Sequence, residues 1–306
     1  MEKKLCSLKQ AVARHVQRGD SVVMGTALES LIPFAAGYEI VRQRIRDLTV
    51  VGPISDILFD LMIGAGCVSR VVAAWVGNVM MGTGYNFRRA MEETIPGPLE
   101  VVDHSNFTLQ TALKAAAQGL PFLPTRTALG SSIEAGNPHL RPFSCPFTGE
   151  RLLAVEAFHP DVAILHVQRA DAQGNAHAWG NLGVTQEAAL AARRVIVTAE
   201  EIVPPEVISS DPNRTIIPGF LVTAVVEARW GSHPSPTQGY ANRDHEFYRR
   251  YHAETRTLEG FARWIGRYVF SPKSHPEYLG IIDEEGRMAG LGVTRSSRSA
   301  PAEFGY

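Results

Sequence analysis

Short runs rich in Val and Ile recur along the first third of the chain, and each stops at glycine or a polar residue. Residues 21–24 end at Gly25 and Thr26, 48–51 at Gly52 and Pro53, 71–76 at Gly77 and Asn78, and 99–102 at Asp103. Apolar runs of this length, without strict alternation, mark strands buried on both faces. Between them, residues 31–44, 54–65, 85–93 and 105–118 carry helical-period patterns. This succession predicts an α/β fold, an open and mostly parallel sheet with helices on both faces. Ligands bind such sheets beyond the carboxyl ends of the strands, so the loops 25–30, 77–84 and 103–105 should gather at one edge.

A Pro- and Gly-rich stretch, 130–149, has little periodicity and reads as a lid, an interface loop or an excursion. Beyond it, 152–158, 162–167, 194–199 and 221–228 read as strands, and 184–193 and 244–268 as helices. The pattern is that of one domain over 1–293, followed by a small, polar tail over 294–306 that is expected to be poorly ordered.

Composition narrows the function. The 30 basic and 31 acidic side chains nearly cancel, leaving a formal charge of −1 and no whole-chain field for nucleic acid or an anionic membrane. Cys6, Cys67 and Cys145 form neither a disulfide framework nor a Cys-x-x-Cys site, which points to the reducing cytoplasm. No signal-peptide pattern follows Met1, and no apolar run is long enough to cross a bilayer. The ten histidines lack paired ligand spacing, so no metal is expected.

The candidate chemistry sits at the strand ends. Gly25 and Thr26 open a strand-to-helix loop whose backbone N–H groups suit an anionic acyl or pyrophosphate group. Glu29 in the same loop reads first as a helix-dipole or capping carboxylate. Gly77 and Asn78 begin a second Gly-rich loop. Its Gly82-Thr83-Gly84 is not a dinucleotide fingerprint, because position 87 is Phe and the loop follows the third strand. Asn86, Arg88 and Arg89 come next, where a guanidinium suits the free carboxylate of a dicarboxylic substrate; the competing reading is a surface or inter-subunit ion pair. Asp103 and His104 form a possible acid/base pair, and Ser105 a helix N-cap. The turn Asp171 to Asn175 has the residues of a local backbone-bonded structure.

Several segments in order resemble one family. The strand Val162-Ala163-Ile164-Leu165-His166-Val167 leading into Gln168-Arg169-Ala170-Asp171, then Gly174-Asn175, resembles the signature of family I CoA-transferases, in the A chain of the glutaconate CoA-transferase type. Ile40 to Gln43, Asp47 to Gly52, Asn86 to Ala90 with Glu92, and Gly119 to Pro124 with Leu129 to Ser131 are similar to its earlier segments. Val195 to Val203, and Gly231 to Pro234 with Gly239-Tyr240, are similar to its later ones. The likeness spans roughly residues 7 to 255.

The resemblance implies a subunit of a heteromeric enzyme that moves CoA between carboxylic acids through a glutamyl-CoA thioester. The nucleophilic glutamate is expected on a partner B subunit, in a heterotetramer or larger assembly, with the CoA thioester as substrate and no permanent cofactor. Accordingly no Glu-Asn-Gly or Glu-Gly-Gly run is present, and Glu285-Gly286 reads as a solvated turn. Substrate-binding residues are expected among Gly25, Thr26, Gly77, Asn78, Asn86, Arg88, Arg89, Asp103, His104 and Ser105. Two alternatives stand beside this: a ring-cleaving acyl-CoA hydrolase subunit of the same fold, for which Glu rather than His at position 104 would be expected, and a non-catalytic subunit binding acyl-CoA or a sugar phosphate.

Overall fold

Hydrogen bonding assembles the Val- and Ile-rich runs into one twisted sheet in a computed structural model that describes residues 3–284 and 286–293. The expected tail and Glu285 lie outside the described residues. In chain order the strands are β1 (Ser21–Val23), β2 (Leu48–Ile54), β3 (Val68–Trp75), β4 (Gly77–Asn78), β5 (Gly82–Thr83), β6 (Glu100–Asp103) and β7 (Phe122–Thr125). They continue as β8 (Leu140–Ser144), β9 (Arg151–Glu156), β10 (Val162–Ala170), β11 (Ala176–His177), β12 (Arg194–Ile202), β13 (Thr215–Ile217) and β14 (Ala224–Glu227).

The parallel part runs β6-β3-β2-β1-β10-β12-β14, and β11 and β13 extend it antiparallel from the far end of β10. The chain therefore winds outward from β1 to β6, then restarts beside β1 with β10 and winds the other way. This reversal makes β1/β10 the topological switch point, where the carboxyl ends open a crevice.

Successive strand residues feed opposite layers. Val22, Val50, Val71, Ile164 and Ile196 pack with the helices Phe34–Arg42 and Ile57–Gly64 and with the C-terminal helices. Val23, Val51, Val72, Leu165 and Val197 pack with Leu109, Leu113 and Ala188 on the helices Asn106–Ala117 and Thr185–Ala191. Both faces are covered, as the continuous apolar runs require. One sheet edge is closed by the N-terminal segment: Cys6 N–H donates to Val225 O (3.0 Å) and Val225 N–H to Lys4 O (2.9 Å), so β14 offers no open ladder there.

Two expectations are corrected. The stretch 130–149 is not an aperiodic excursion: it holds the short helix Ser132–Gly136 and β8, and 152–158 belongs with it rather than with the main sheet. β7, β9 and β8 form a separate antiparallel sheet whose inner face buries Leu140, Leu153 and Val155. Pro142 is tolerated because β8 is an edge strand. The expected helix 244–268 is two, His245–Glu254 and Leu258–Ile265. Thr257 caps the second by accepting from Gly260 N–H (3.0 Å), and a Cβ on Gly260 would collide with Glu254 O.

That cap yields a stability test. Thr257→Ala should cost about 1 kcal/mol, the usual loss for an N-cap, read as a lower denaturation midpoint at unchanged slope; Thr257→Ser should retain most of it.

Candidate active site at the carboxyl edge

The loops after β1, β3 and β6 do fall on one side of the sheet, since β1, β2, β3 and β6 are mutually parallel. At the switch point Gly25 has φ +65°, and any side chain there would strike Ser55. Thr26 is buried, its Oγ1 2.7 Å from Thr185 Oγ1, while its carbonyl accepts from Val184 N–H (2.9 Å). The first loop is thus locked to the loop and helix after β10. Gly77, at φ +131°, crosses against Gly82 and Gly84 in the β4–β5 hairpin, where no Cβ fits. A cleft of about 280 Å³ opens between the ends of β3 and β6, lined by Trp75, Val76, Thr83, Phe87 and Asp103 among others.

Asn78 ties the hairpin to β2. Its Oδ1 accepts from Met80 and Met81 N–H (2.9 and 3.2 Å), and its Nδ2 donates to Asp56 Oδ1 (2.8 Å). Asp56 lies just past β2, buried, with φ +50°, a strained value for a side chain. Burial pushes its carboxyl up to about 6, against the opposing pull of Arg243 and Asn78. Arg243 Nη2 donates to Asp56 Oδ2 (2.8 Å), Nη1 reaches Glu29 Oε2 at 3.3 Å, and the guanidinium lies 4.1 Å over the Tyr248 ring. Asp56 and Arg243 bind the β1, β2 and β3 loops together, and sequence reading missed both. The usable signal was Ser55-Asp56 at a strand end; nothing local pointed to Arg243.

The helix Tyr85–Glu93 carries the three polar residues expected to meet substrate. Asn86 is buried, donating to Asp60 Oδ2 (3.0 Å) and Tyr251 Oη (3.2 Å) and accepting from Arg89 Nη2 (2.6 Å). Arg89 also donates to the carbonyls of Thr255 and Arg256, both at 3.2 Å. Asp60 Oδ1 accepts from Phe87 N–H (2.8 Å), capping the helix from outside, since a Cβ at Gly84 would collide with that carboxylate. This network fastens the helix to the C-terminal helices. Arg88 is exposed, 5.9 Å over the Tyr85 ring, beside a groove of about 630 Å³ that runs along the helix flank past Glu92 and Glu93, away from the strand ends.

Asp103 and His104 do not form the expected acid/base pair. Asp103 is exposed, and its backbone carbonyl accepts from Asn137 Nδ2 (2.8 Å). His104 is buried between Thr108 and Asn137. His139 N–H donates to Asn137 Oδ1 (2.9 Å), fixing the amide so that its Nδ2 donates to His104 Nε2 (3.1 Å). The imidazole proton therefore sits on Nδ1, directed at Thr108 Oγ1 (3.1 Å). Burial, with the nearby His139, lowers His104 to about 4, so it is neutral near pH 7 rather than poised there. Ser105 is the N-cap, in a capping box with Thr108. Asp171 likewise commits both oxygens inside its own turn, to Gln173 and Asn175 N–H and to Asn175 Nδ2.

Among the described residues no cluster of His, Cys, Asp or Glu could hold a metal ion, and no helix is long and apolar enough to cross a membrane.

Such an edge, with glycine-pinched loops at a switch point, is a ligand-binding edge of the α/β class. The chain belongs to the coenzyme A transferase family, whose model matches residues 6–228. It is 41% identical over 280 residues to the A chain of the 3-oxoadipate CoA-transferase of Pseudomonas knackmussii, covering 92% of this chain and 98% of that one. It is 34% identical over 293 residues to the A chain of the glutaconate CoA-transferase of Acidaminococcus fermentans, covering 90% and 91%. The crystal structure of glutaconate coenzyme A-transferase from the latter organism superposes with a TM-score of 0.89 at 33% identity, covering 98% of both chains.

Two outcomes follow from these contacts. A histidine whose folded value is lowered leaves the unfolded chain to take up the proton first, so stability present above about 6.5 is lost as pH falls toward 4. Between pH 7 and 5, His104→Gln should lose up to about 2 kcal/mol less than the parent in urea titrations; equal losses would place the acid sensitivity elsewhere. Arg89→Ala should lower stability by about 2–4 kcal/mol by stranding two carbonyls and Asn86. A change in substrate KM with no fall in unfolding midpoint would instead restore Arg89 to a binding role.

Proposed function

We propose that this chain is the A component of a heteromeric CoA-transferase, and that a B subunit completes its carboxyl edge. The observation carrying this reading is the state of the carboxylates on the edge. Asp56 is buried in an ion pair, and Glu29, the glutamate of the first loop, is held by Arg243. Both are engaged by Arg243, Glu29 through a long contact, and the exposed Asp103 is an aspartate where the resemblance calls for a glutamate. A nucleophilic glutamate from the partner, facing the loops at Gly25–Thr26, Gly77–Asn78 and Asp103–Ser105, supplies what the chain lacks.

In this reading the CoA thioester enters as substrate. The partner's carboxylate attacks the thioester carbonyl and expels CoA thiolate, giving a mixed anhydride. The thiolate then attacks the glutamyl carbonyl, so the acyl group leaves as a carboxylate with one glutamate oxygen and a glutamyl-CoA thioester remains. From that thioester the second acid takes CoA by the same steps in reverse. This chain's share is to bind and orient the acyl group and to exclude water. The exposed Trp75, Val79, Met80 and Phe107 give the partner apolar surface beside the cleft, and a heterotetramer is the simplest assembly built from such pairs.

The hydrolase and ligand-binding alternatives are not favoured. The relatives at 41% and 34% identity are named as transferase subunits and match over nine-tenths of this chain or more, whereas a relative named as a cholesterol ring-cleaving hydrolase subunit is 33% identical over 78% of it. Position 104 holds a neutral, buried histidine rather than a glutamate.

The purified chain should exchange no CoA between an acyl-CoA and a free acid, and adding the B subunit should produce turnover. Turnover by the isolated chain that disappears in Glu29→Gln would transfer the nucleophile to this chain and overturn the proposal.

A further inference from the structure

We infer that Arg243 recognises the free carboxylate of a dicarboxylic acyl group, and that Glu29 occupies that position as an internal stand-in until substrate displaces it. The inference rests on the transferase reading for the identity of the substrate, and on the following geometry for everything else.

Arg243 arrives late in the chain, yet its guanidinium is set among the β1, β2 and β3 loops. One side is permanently engaged: Nη2 holds buried Asp56 at 2.8 Å, and stacking on Tyr248 fixes the plane. The other side is not. Nη1 meets Glu29 at 3.3 Å, beyond the range of a good charge-assisted bond, and the Glu29 side chain is 42% exposed while that of Arg243 is 9% exposed. Arg243 Nε is buried without a partner among the described residues, so the guanidinium as it stands is under-used.

Glu29 can leave without disturbing the loop, because the backbone is held separately: its carbonyl accepts from Ser235 Oγ (2.7 Å). Exchanging one carboxylate for another at Nη1 leaves the local charge unchanged, so the exchange forfeits only a long, half-solvated contact. A substrate carboxylate with better geometry gains a shorter charge-assisted bond at Nη1, placed by a guanidinium plane that an ammonium does not reproduce. The two arginines on the helix after the hairpin do not compete for this role. Arg89 is occupied by Asn86 and two carbonyls, and Arg88 stands beside the flank groove.

Calorimetric titration of the assembled complex with glutarate and with pentanoate, acids of equal chain length, tests this directly. The parent complex should bind glutarate more tightly. Arg243→Lys should weaken glutarate by about tenfold or more and leave pentanoate nearly unchanged. Glu29→Gln should tighten glutarate severalfold, because the competing anion is gone. A parent with no preference for glutarate, a preference that survives Arg243→Lys, or a Glu29→Gln complex that binds glutarate no better would each overturn the inference. Should Arg243→Lys fail to assemble, the Glu29→Gln titration decides alone. CoA exchange is assayed separately on the same samples: glutarate preference through Arg243 without CoA exchange refutes the transferase reading and leaves this one standing.

Discussion

The ion pair between Asp56 and Arg243 is the contact on which the carboxyl edge depends, since it joins loops that no backbone ladder connects. Asp56 pays for its place twice, through burial that raises its carboxyl to about 6 and through a positive φ. Strain of that kind costs about 1–3 kcal/mol and persists only where surrounding contacts over-determine it. Here the surroundings are Arg243 Nη2 and Asn78 Nδ2, each at 2.8 Å. Removing one partner of such a buried pair costs about 3–5 kcal/mol, more than the strain, so the arrangement holds.

A second anchor, built around Asp60, works in the same layer. Asp60 accepts from Tyr251 Oη (2.7 Å), Asn86 Nδ2 and Phe87 N–H, and is likewise buried. One carboxylate thereby positions the loops and the other starts the crossover helix after the hairpin. Both reach into the C-terminal part of the chain, to Arg243 on the loop before the helix His245–Glu254 and to Tyr251 on that helix. The C-terminal helices are thus part of the edge rather than an appendage, although the family match ends at residue 228.

How much of this was legible in the sequence follows from how local each signal is. Runs such as Val162 to Val167 declare themselves because burial on both faces leaves no polar interruption, and β10 forms there with three further residues. The helix expected over 31–44 shortens to Phe34–Arg42 because Leu31 takes a left-handed φ of +54°, outside the helical range, where its N–H bonds to the distant Pro236 O. The small sheet escaped notice because β8 buries Leu140 alone in full and exposes Arg141, Pro142 and Ser144, which gives no period to read. At the edge, Gly25 and Gly77 were legible from their punctuation. Arg243 was not, since 187 positions separate it from Asp56.

The three arginines show why proximity in sequence misleads about a strand-end site. A crossover helix between parallel strands must run back toward their amino ends, so residues on it leave the edge as the helix proceeds. Tyr85 and Asn86 start near the hairpin, and by Glu92 and Glu93 the surface belongs to the flank groove. Arg88 and Arg89 sit on this receding path, and Arg89 finds carbonyl partners there at helix ends, where unsatisfied acceptors are plentiful. Arg243 precedes the helix His245–Glu254 and is held on a loop that returns to the strand ends through Ser235 and Glu29. Position along the strand axis, rather than distance along the chain, decides which guanidinium a ligand at the edge can meet.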